Sequence, residues 1–165
     1  MEHLFAPWRM EYVGAGSEPG CLFCRVLEPR PEPNPDADRR NLVVWRPPGA
    51  VVLLNRFPYN NGHLLIAPAA HVASPADLED GEALDLMRAL RTALRVIEAE
   101  MKPAGFNVGA NLGRAAGAGI PDHAHLHVVP RWDGDTNFMP VLAEAKVVNE
   151  HLDRSWDRIS AAFAR

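Results

Sequence analysis

Apolar positions change their spacing several times along this chain, and each change marks an element. Leu42-Val43-Val44-Trp45 and Ala50-Val51-Val52-Leu53-Leu54-Asn55 are short apolar runs separated by Arg46-Pro47-Pro48-Gly49. Runs of this length bounded by turn residues predict two strands joined as a hairpin. A third strand is predicted for His63-Leu64-Leu65-Ile66-Ala67, which follows the turn residues from Pro58 to Gly62 and stops at Pro68. Beyond Ser74-Pro75 the spacing lengthens. Leu86, Leu90, Leu94, Ile97 and Met101 recur at the helical period, while Asp77, Glu79 and Asp80 suit the positive end of a helix dipole. One helix is therefore predicted from about 75 to 102, with Ser74 as its N-cap, Pro75 in its first turn and Pro103 at its end.

The short-period pattern returns in Phe106–Asn111 and His125–Val129, which flank a loop containing Gly113, Gly117 and Gly119. A closing amphipathic helix is predicted over 147–164, where Leu152, Trp156, Ile159 and Phe163 are spaced by four, three and four. Earlier, prolines at alternate positions from Pro29 to Pro35 predict a surface loop over 28–38. The elements add up to a sheet with a helix packed on it, an α+β arrangement with no internal repeat.

Composition narrows the class. At 165 residues and 47% hydrophobic content the chain is long enough for one sizeable core, so a single domain over 1–165 is expected. The 17 basic and 21 acidic residues give a formal charge of -4 without a long run of either sign. That field offers no attraction to nucleic acid or an anionic membrane, so any phosphate site must be local. No segment approaches the roughly 18 consecutive apolar residues of a membrane helix, and the start lacks the build of a signal peptide, so a cytoplasmic location is expected.

Three of the seven histidines occupy alternate positions in His123-Ala124-His125-Leu126-His127-Val128-Val129. A strand period of two places their imidazoles on one face and Ala124, Leu126 and Val128 on the other. A lone histidine is more often a satisfied core residue; three on one face ask for a ligand. Neutral imidazole can attack phosphorus with one nitrogen while the other holds a fixing hydrogen bond. The same spacing permits a three-histidine zinc site, and spacing alone does not choose. The only two cysteines form Cys21-Leu22-Phe23-Cys24, which alone admits a metal, thiol redox chemistry or simple burial.

The His-x-His-x-His run, its two following apolar residues and then Pro130-Arg131 resemble the signature of the histidine triad (HIT) superfamily. The resemblance extends to Cys21–Cys24, to Leu54-Asn55-Arg56-Phe57-Pro58, to Gly62–Pro68, to His71 and to Asn111–Gly117, so it spans roughly 21–131 in the family's order. The extension 132–165 opens with a tail, Trp132–Pro140, that resembles the fragile-histidine-triad branch and its bacterial and archaeal relatives. The resemblance implies a HIT-like antiparallel sheet with one long helix packed on it, a C-terminal helix and a homodimer. It also implies cleavage of the α-phosphate linkage of dinucleoside polyphosphates through a nucleotidyl-histidine intermediate, by hydrolysis or phosphorolysis. A nucleotide-sensing HIT module without turnover is the alternative.

Residue by residue, the resemblance implies that His125 attacks the α-phosphorus and His127 hydrogen-bonds the transferring phosphate. Asn55 matches the ribose contact, His63 the histidine network beneath the site, and Asn111 a phosphate-contacting position. Gly117-Ala118-Gly119-Ile120 departs from the Gly-Gln-Ser/Thr-Val of many relatives, and Asp122 is one residue extra before the triad. Backbone amides around Gly117 and Gly119 are expected to stand in for the missing polar side chains. Zinc-bearing relatives imply a structural zinc held by Cys21, Cys24, His71 and His123. Of the residues outside these motifs, His3 and His151 are expected at the surface and the four tryptophans as core or interface anchors; Arg131 could meet phosphate or cap the sheet edge.

Overall fold

The computed structural model describes residues 20–29, 34–135 and 150–165. Among the described residues, nine α-helices and strands follow one another: α1 (Leu22–Leu27), α2 (Pro35–Arg40), β1 (Val43–Trp45), β2 (Ala50–Leu54), β3 (Leu64–Pro68), α3 (Asp80–Met101), β4 (Gly105–Gly109), β5 (Leu126–Arg131) and α4 (Leu152–Phe163). The five strands form one antiparallel sheet in the order β1-β2-β3-β5-β4. This is the α+β arrangement that the spacing predicts.

The predicted hairpin is present, with Val43 opposite Leu53, and β2 pairs along its whole length with β3 from Ala50 opposite Pro68 to Leu54 opposite Leu64. Alternation then sorts the side chains. Val52, Leu54, Leu64, Ile66 and Val128 meet Leu86, Ala89, Leu90, Ala93 and Ile97 of α3 and Ile159 of α4. Val51, Leu53, Leu65 and Ala67 face the opposite way and pack against Phe23 and Val26 of α1. Both sheet faces are thus covered around β2 and β3, which is why these strands are apolar at every position. The helix α4 is fastened to β1 by Trp156, whose Nε1–H donates to the carbonyl of Val43 at 2.8 Å, and by Trp45 stacked on Phe163 at 5.1 Å. His151 is exposed as expected and its ring accepts from the amide of Asp153, so it N-caps this helix.

Several boundaries differ from the expectation. Ser74 caps only a single 3-10 turn, Pro75–Asp77, and Leu78 returns to extended backbone. The long helix starts at Asp80 under a second signal, in which Glu79 and Glu82 form a reciprocal capping box. It ends at Lys102 in the left-handed conformation before Pro103. Within the expected loop over 28–38, Pro35 instead opens α2, because Asn34 accepts from the Ala37 amide and a first-turn proline gives up only a spare donor.

β4 stops at Gly109, short of Asn111, whereas β5 runs on through Pro130 to Arg131. Proline is tolerated there because β3 leaves the pairing at Val128, so beyond that residue β5 has a neighbour on one side only. The first residues of the predicted closing helix, 147–149, the tail positions 136–140, His3 and Trp8 lie outside the described residues.

Candidate active site and metal centre

His127 lies opposite Leu65 on β3 and Gly109 on β4, on the sheet face away from α3. Regular strand geometry begins only at Leu126, so His123 and His125 precede it. Their rings still form one row. Phe23 of α1 lies 5.0 Å from both His123 and His125, His125 lies 5.0 Å from His127, and His127 lies 5.2 Å from His63 at the start of β3. All of these are centroid distances, and His63, His123 and His125 are buried.

Backbone groups decide which nitrogen of each ring is available. His125 Nδ1–H donates to the carbonyl of His123 at 2.9 Å, so its Nε2 carries the lone pair. At His63 the backbone amide of Tyr59 donates to Nδ1 at 3.0 Å, with the Asn55 amide nitrogen 3.4 Å from the same atom. A backbone N–H can only donate, so His63 Nε2 holds the proton and donates to His127 Nδ1 at 3.0 Å. His127 is thereby left with its proton on Nε2, a buried atom that no described group hydrogen-bonds. Burial lowers the pKa of His125 below the ordinary histidine value, partly offset by its bond to the carbonyl. Desolvation first and His125 second bring His127 down to about 4, so it is neutral at pH 7.

The other end of the row is built differently. His123 Nε2–H donates to the carbonyl of Pro68 at 2.9 Å, which turns its Nδ1 toward Cys21 and Cys24. Nδ1 of His123 lies 3.3 Å from Cys21 Sγ, 3.6 Å from Cys24 Sγ and 3.2 Å from Nδ1 of His71, and Cys24 Sγ is 3.0 Å from His71 Nδ1. All four ligand atoms lie within 4.8 Å of one another. Bonds of about 2.0–2.3 Å to a tetrahedral zinc separate neighbouring donors by about 3.3–3.8 Å, so the donor set fits that ion. These residues come from α1, the segment after β3 and the head of β5, and the Ala124 amide donating to the Val72 carbonyl at 2.6 Å ties the last two together.

Asn55 closes β2 and joins this framework: its amide donates to the His63 carbonyl at 2.9 Å and its Oδ1 accepts from Phe57. From Gly109, opposite His127, the chain makes a glycine-bearing loop back to His123. Half-buried Asn111, Gly117 at φ +82° and exposed Gly119 lie along it. Space is open beside Gly113 and Gly117, where an added Cβ would meet nothing within 4 Å. Arg131 is engaged, through both side-chain oxygens of Asp135 and through Asn107, so it braces β4, β5 and the following turn.

Two contributors are invisible in the linear pattern. Phe23 sits between the cysteines and looks like filler, yet its ring packs 5.0 Å from both His123 and His125. Tyr59 lies in a stretch read only as a turn, yet its ring packs 4.8 Å from His63 and 5.9 Å from His127.

The chain is similar to several known proteins. The family described as HIT domain matches residues 37–134. The chain is 36% identical over 168 residues to a protein of Mycobacterium tuberculosis (strain ATCC 25618 / H37Rv) named AP-4-A phosphorylase, covering 100% of this chain and 86% of that one. It is 32% identical over 121 residues to a Schizosaccharomyces pombe protein named bis(5'-nucleosyl)-tetraphosphatase [asymmetrical], covering 73% and 63% of the two chains. Among solved structures, a Zn-bound histidine triad family protein from Mycobacterium smegmatis aligns with a TM-score of 0.65 at 23% identity, over 87% of this chain and 93% of that one. At that identity the likeness is one of fold.

Proposed function

This chain belongs to the HIT domain family, and from that premise we propose that it cleaves dinucleoside polyphosphates, such as diadenosine tri- or tetraphosphate, at the α-phosphate. The relatives named for AP-4-A phosphorylase and tetraphosphatase activities support that substrate class. One observation carries the reading: the carbonyl of His123 occupies Nδ1 of His125 and leaves Nε2 as a buried, neutral nucleophile beside the unpartnered Nε2–H of His127.

In the first step the Nε2 lone pair of His125 attacks the α-phosphorus. An N–P bond forms, the bridging P–O bond breaks, and the leaving nucleoside polyphosphate takes the electron pair. His127 donates to the transferring phosphate as its charge develops. In the second step water or inorganic phosphate attacks the same phosphorus and releases His125, giving a nucleoside monophosphate or diphosphate respectively. Asn55 and His63 hold the ribose and histidine side of the pocket. Asn111 and the backbone around Gly117 and Gly119 hold the phosphate chain.

Cys21, Cys24, His71 and His123 hold a structural zinc, a closed sphere without an open position for substrate. When bound, the ion cross-links α1 to the head of the catalytic strand. Two free thiols set against imidazoles suit a reducing cytoplasm. Exposed Leu84 and Met87 on α3 and Val108 on the edge strand β4 support pairing with a second copy of this chain.

Incubation with diadenosine tetraphosphate and triphosphate, with and without inorganic phosphate, and chromatography of the products tests the reading. Nucleoside monophosphate without added phosphate marks hydrolysis, and nucleoside diphosphate only with it marks phosphorolysis. No consumption of either substrate under both conditions would overturn the assignment.

A further inference from the structure

We propose that the ring of Tyr59 is a positioning element of the reaction, a cover that holds the His63–His127 pair in one tautomeric chain and presents His127 Nε2–H to the phosphate. The inference rests on the catalytic reading above. Its observations are independent of that reading, because they concern the packing of one aromatic ring on two imidazoles.

The ring of Tyr59 stacks at 11° to His127 and tilts at 35° to His63, with centroids 5.9 and 4.8 Å away. It therefore spans both members of the pair. At 43% exposure its outer side is in solvent while His63 beneath it is wholly buried, so the ring forms the boundary between water and the bond from His63 Nε2 to His127 Nδ1. The backbone of the same residue donates to His63 Nδ1 at 3.0 Å. Main chain and side chain of one residue thus act on the same chain of protons. The amide sets its direction, and the ring keeps water from competing for His127 Nδ1. Were water to reach that atom, His127 could hold its proton on either nitrogen. Only the form protonated at Nε2 can donate to a phosphate bound beside His125. The flat ring, which lies against both imidazoles, is the part of the side chain that acts.

The test compares wild type, Tyr59→Phe, Tyr59→Ala and Tyr59→Leu. Two readouts are taken: steady-state turnover of diadenosine tetraphosphate, and long-range 15N–1H spectra of histidine-labelled protein, which report the tautomer of each imidazole. In wild type His127 is expected as the single Nε2–H form, and Tyr59→Phe keeps that form and kcat. Loss of the ring is expected to average the two tautomers of His127 and to lower kcat about tenfold with KM within about twofold, the signature of a lost transition-state donor. Tyr59→Leu fills most of the space without a flat face and reports the same loss if Tyr59→Ala does not fold. An unchanged His127 spectrum in the ring-less variants overturns the proposal even if their rate falls, and so does a Tyr59→Phe variant that is as impaired as they are. If wild type consumes no dinucleoside polyphosphate, the catalytic reading fails while the spectra still decide what the ring does to the imidazole pair.

Discussion

The two ends of the histidine row present opposite nitrogens of one side-chain type, and two kinds of chemistry are proposed for them. At the Cys21–Cys24 end, the Pro68 carbonyl takes the Nε2–H of His123, and Nδ1 is left to converge with Nδ1 of His71 and two sulfurs. Two residues on, the carbonyl of His123 takes the Nδ1–H of His125, and Nε2 is left with the lone pair, the atom proposed to react. The backbone acceptor that each ring meets decides which nitrogen it presents, and with it the proposed role of ligand or nucleophile. That arrangement also links the ends, since the carbonyl orienting His125 belongs to the residue whose ring faces the cysteines.

The largest effect that could break this division is at His125. His125→Ala or His125→Gly should lower turnover on the order of 10³-fold or more while nucleotide still binds in calorimetry, because the covalent step is lost and the pocket remains. Substantial residual activity would move the nucleophile elsewhere. His127→Ala comes next, with an expected loss of roughly 10²-fold, mostly in kcat, from removing one preorganised donor.

The opposite end should respond in stability. Wild type purified without chelator should carry one zinc per chain by elemental analysis. Cys21→Ser, Cys24→Ser protein should carry almost none and melt roughly 10 °C lower, as expected for losing about 3–4 kcal/mol of ligand-linked stability in a chain of this size. Its folded fraction should keep most of its rate. A rate that collapses while melting is unchanged would reverse the roles of the two ends.

A further expected effect is acid sensitivity at the end proposed to be catalytic. The folded protein holds His127 down at about 4 by burial and then by His125, whereas the unfolded chain titrates near the ordinary 6.5. Between those values the unfolded state binds a proton that the folded state refuses. Stability is therefore full above pH 6.5 and declines as pH falls from there toward 4. Thermal melts across this window should show a shallower decline in His127→Asn than in wild type, and equal slopes would mean that His127 is not held neutral by the fold.

Much of this molecule was legible in linear form because its signals are local. Short apolar runs bounded by turn residues put β2 and β3 in strands, a two-residue period puts His127 in one with His123 and His125 just ahead of it, and leucines at helical spacing put α3 beneath them. Local reading faltered where two local signals competed. Ser74-Pro75 and Glu79-x-x-Glu82 both announce a helix start, and in the fold the second one opens the long helix, with extended Leu78 between them packed against the core. A proline pattern that spells an extended loop also spells a helix first turn once Asn34 stands before Pro35.

The chemistry of each imidazole was beyond any window of neighbouring residues. Alternate spacing pointed to three histidines on one side, although only His127 lies within the strand itself. Which nitrogen each presents depends on acceptors and donors brought in from far along the chain: Pro68 lies 55 residues from His123, Cys21 lies 102 residues from it, and His63 lies 64 residues from His127. Tyr59 shows the same limit from the other side, a turn residue by its neighbours and a cover over two imidazoles by its place in the fold. A proton sits on one nitrogen or the other according to what stands opposite it in space, and that is settled only when the sheet closes.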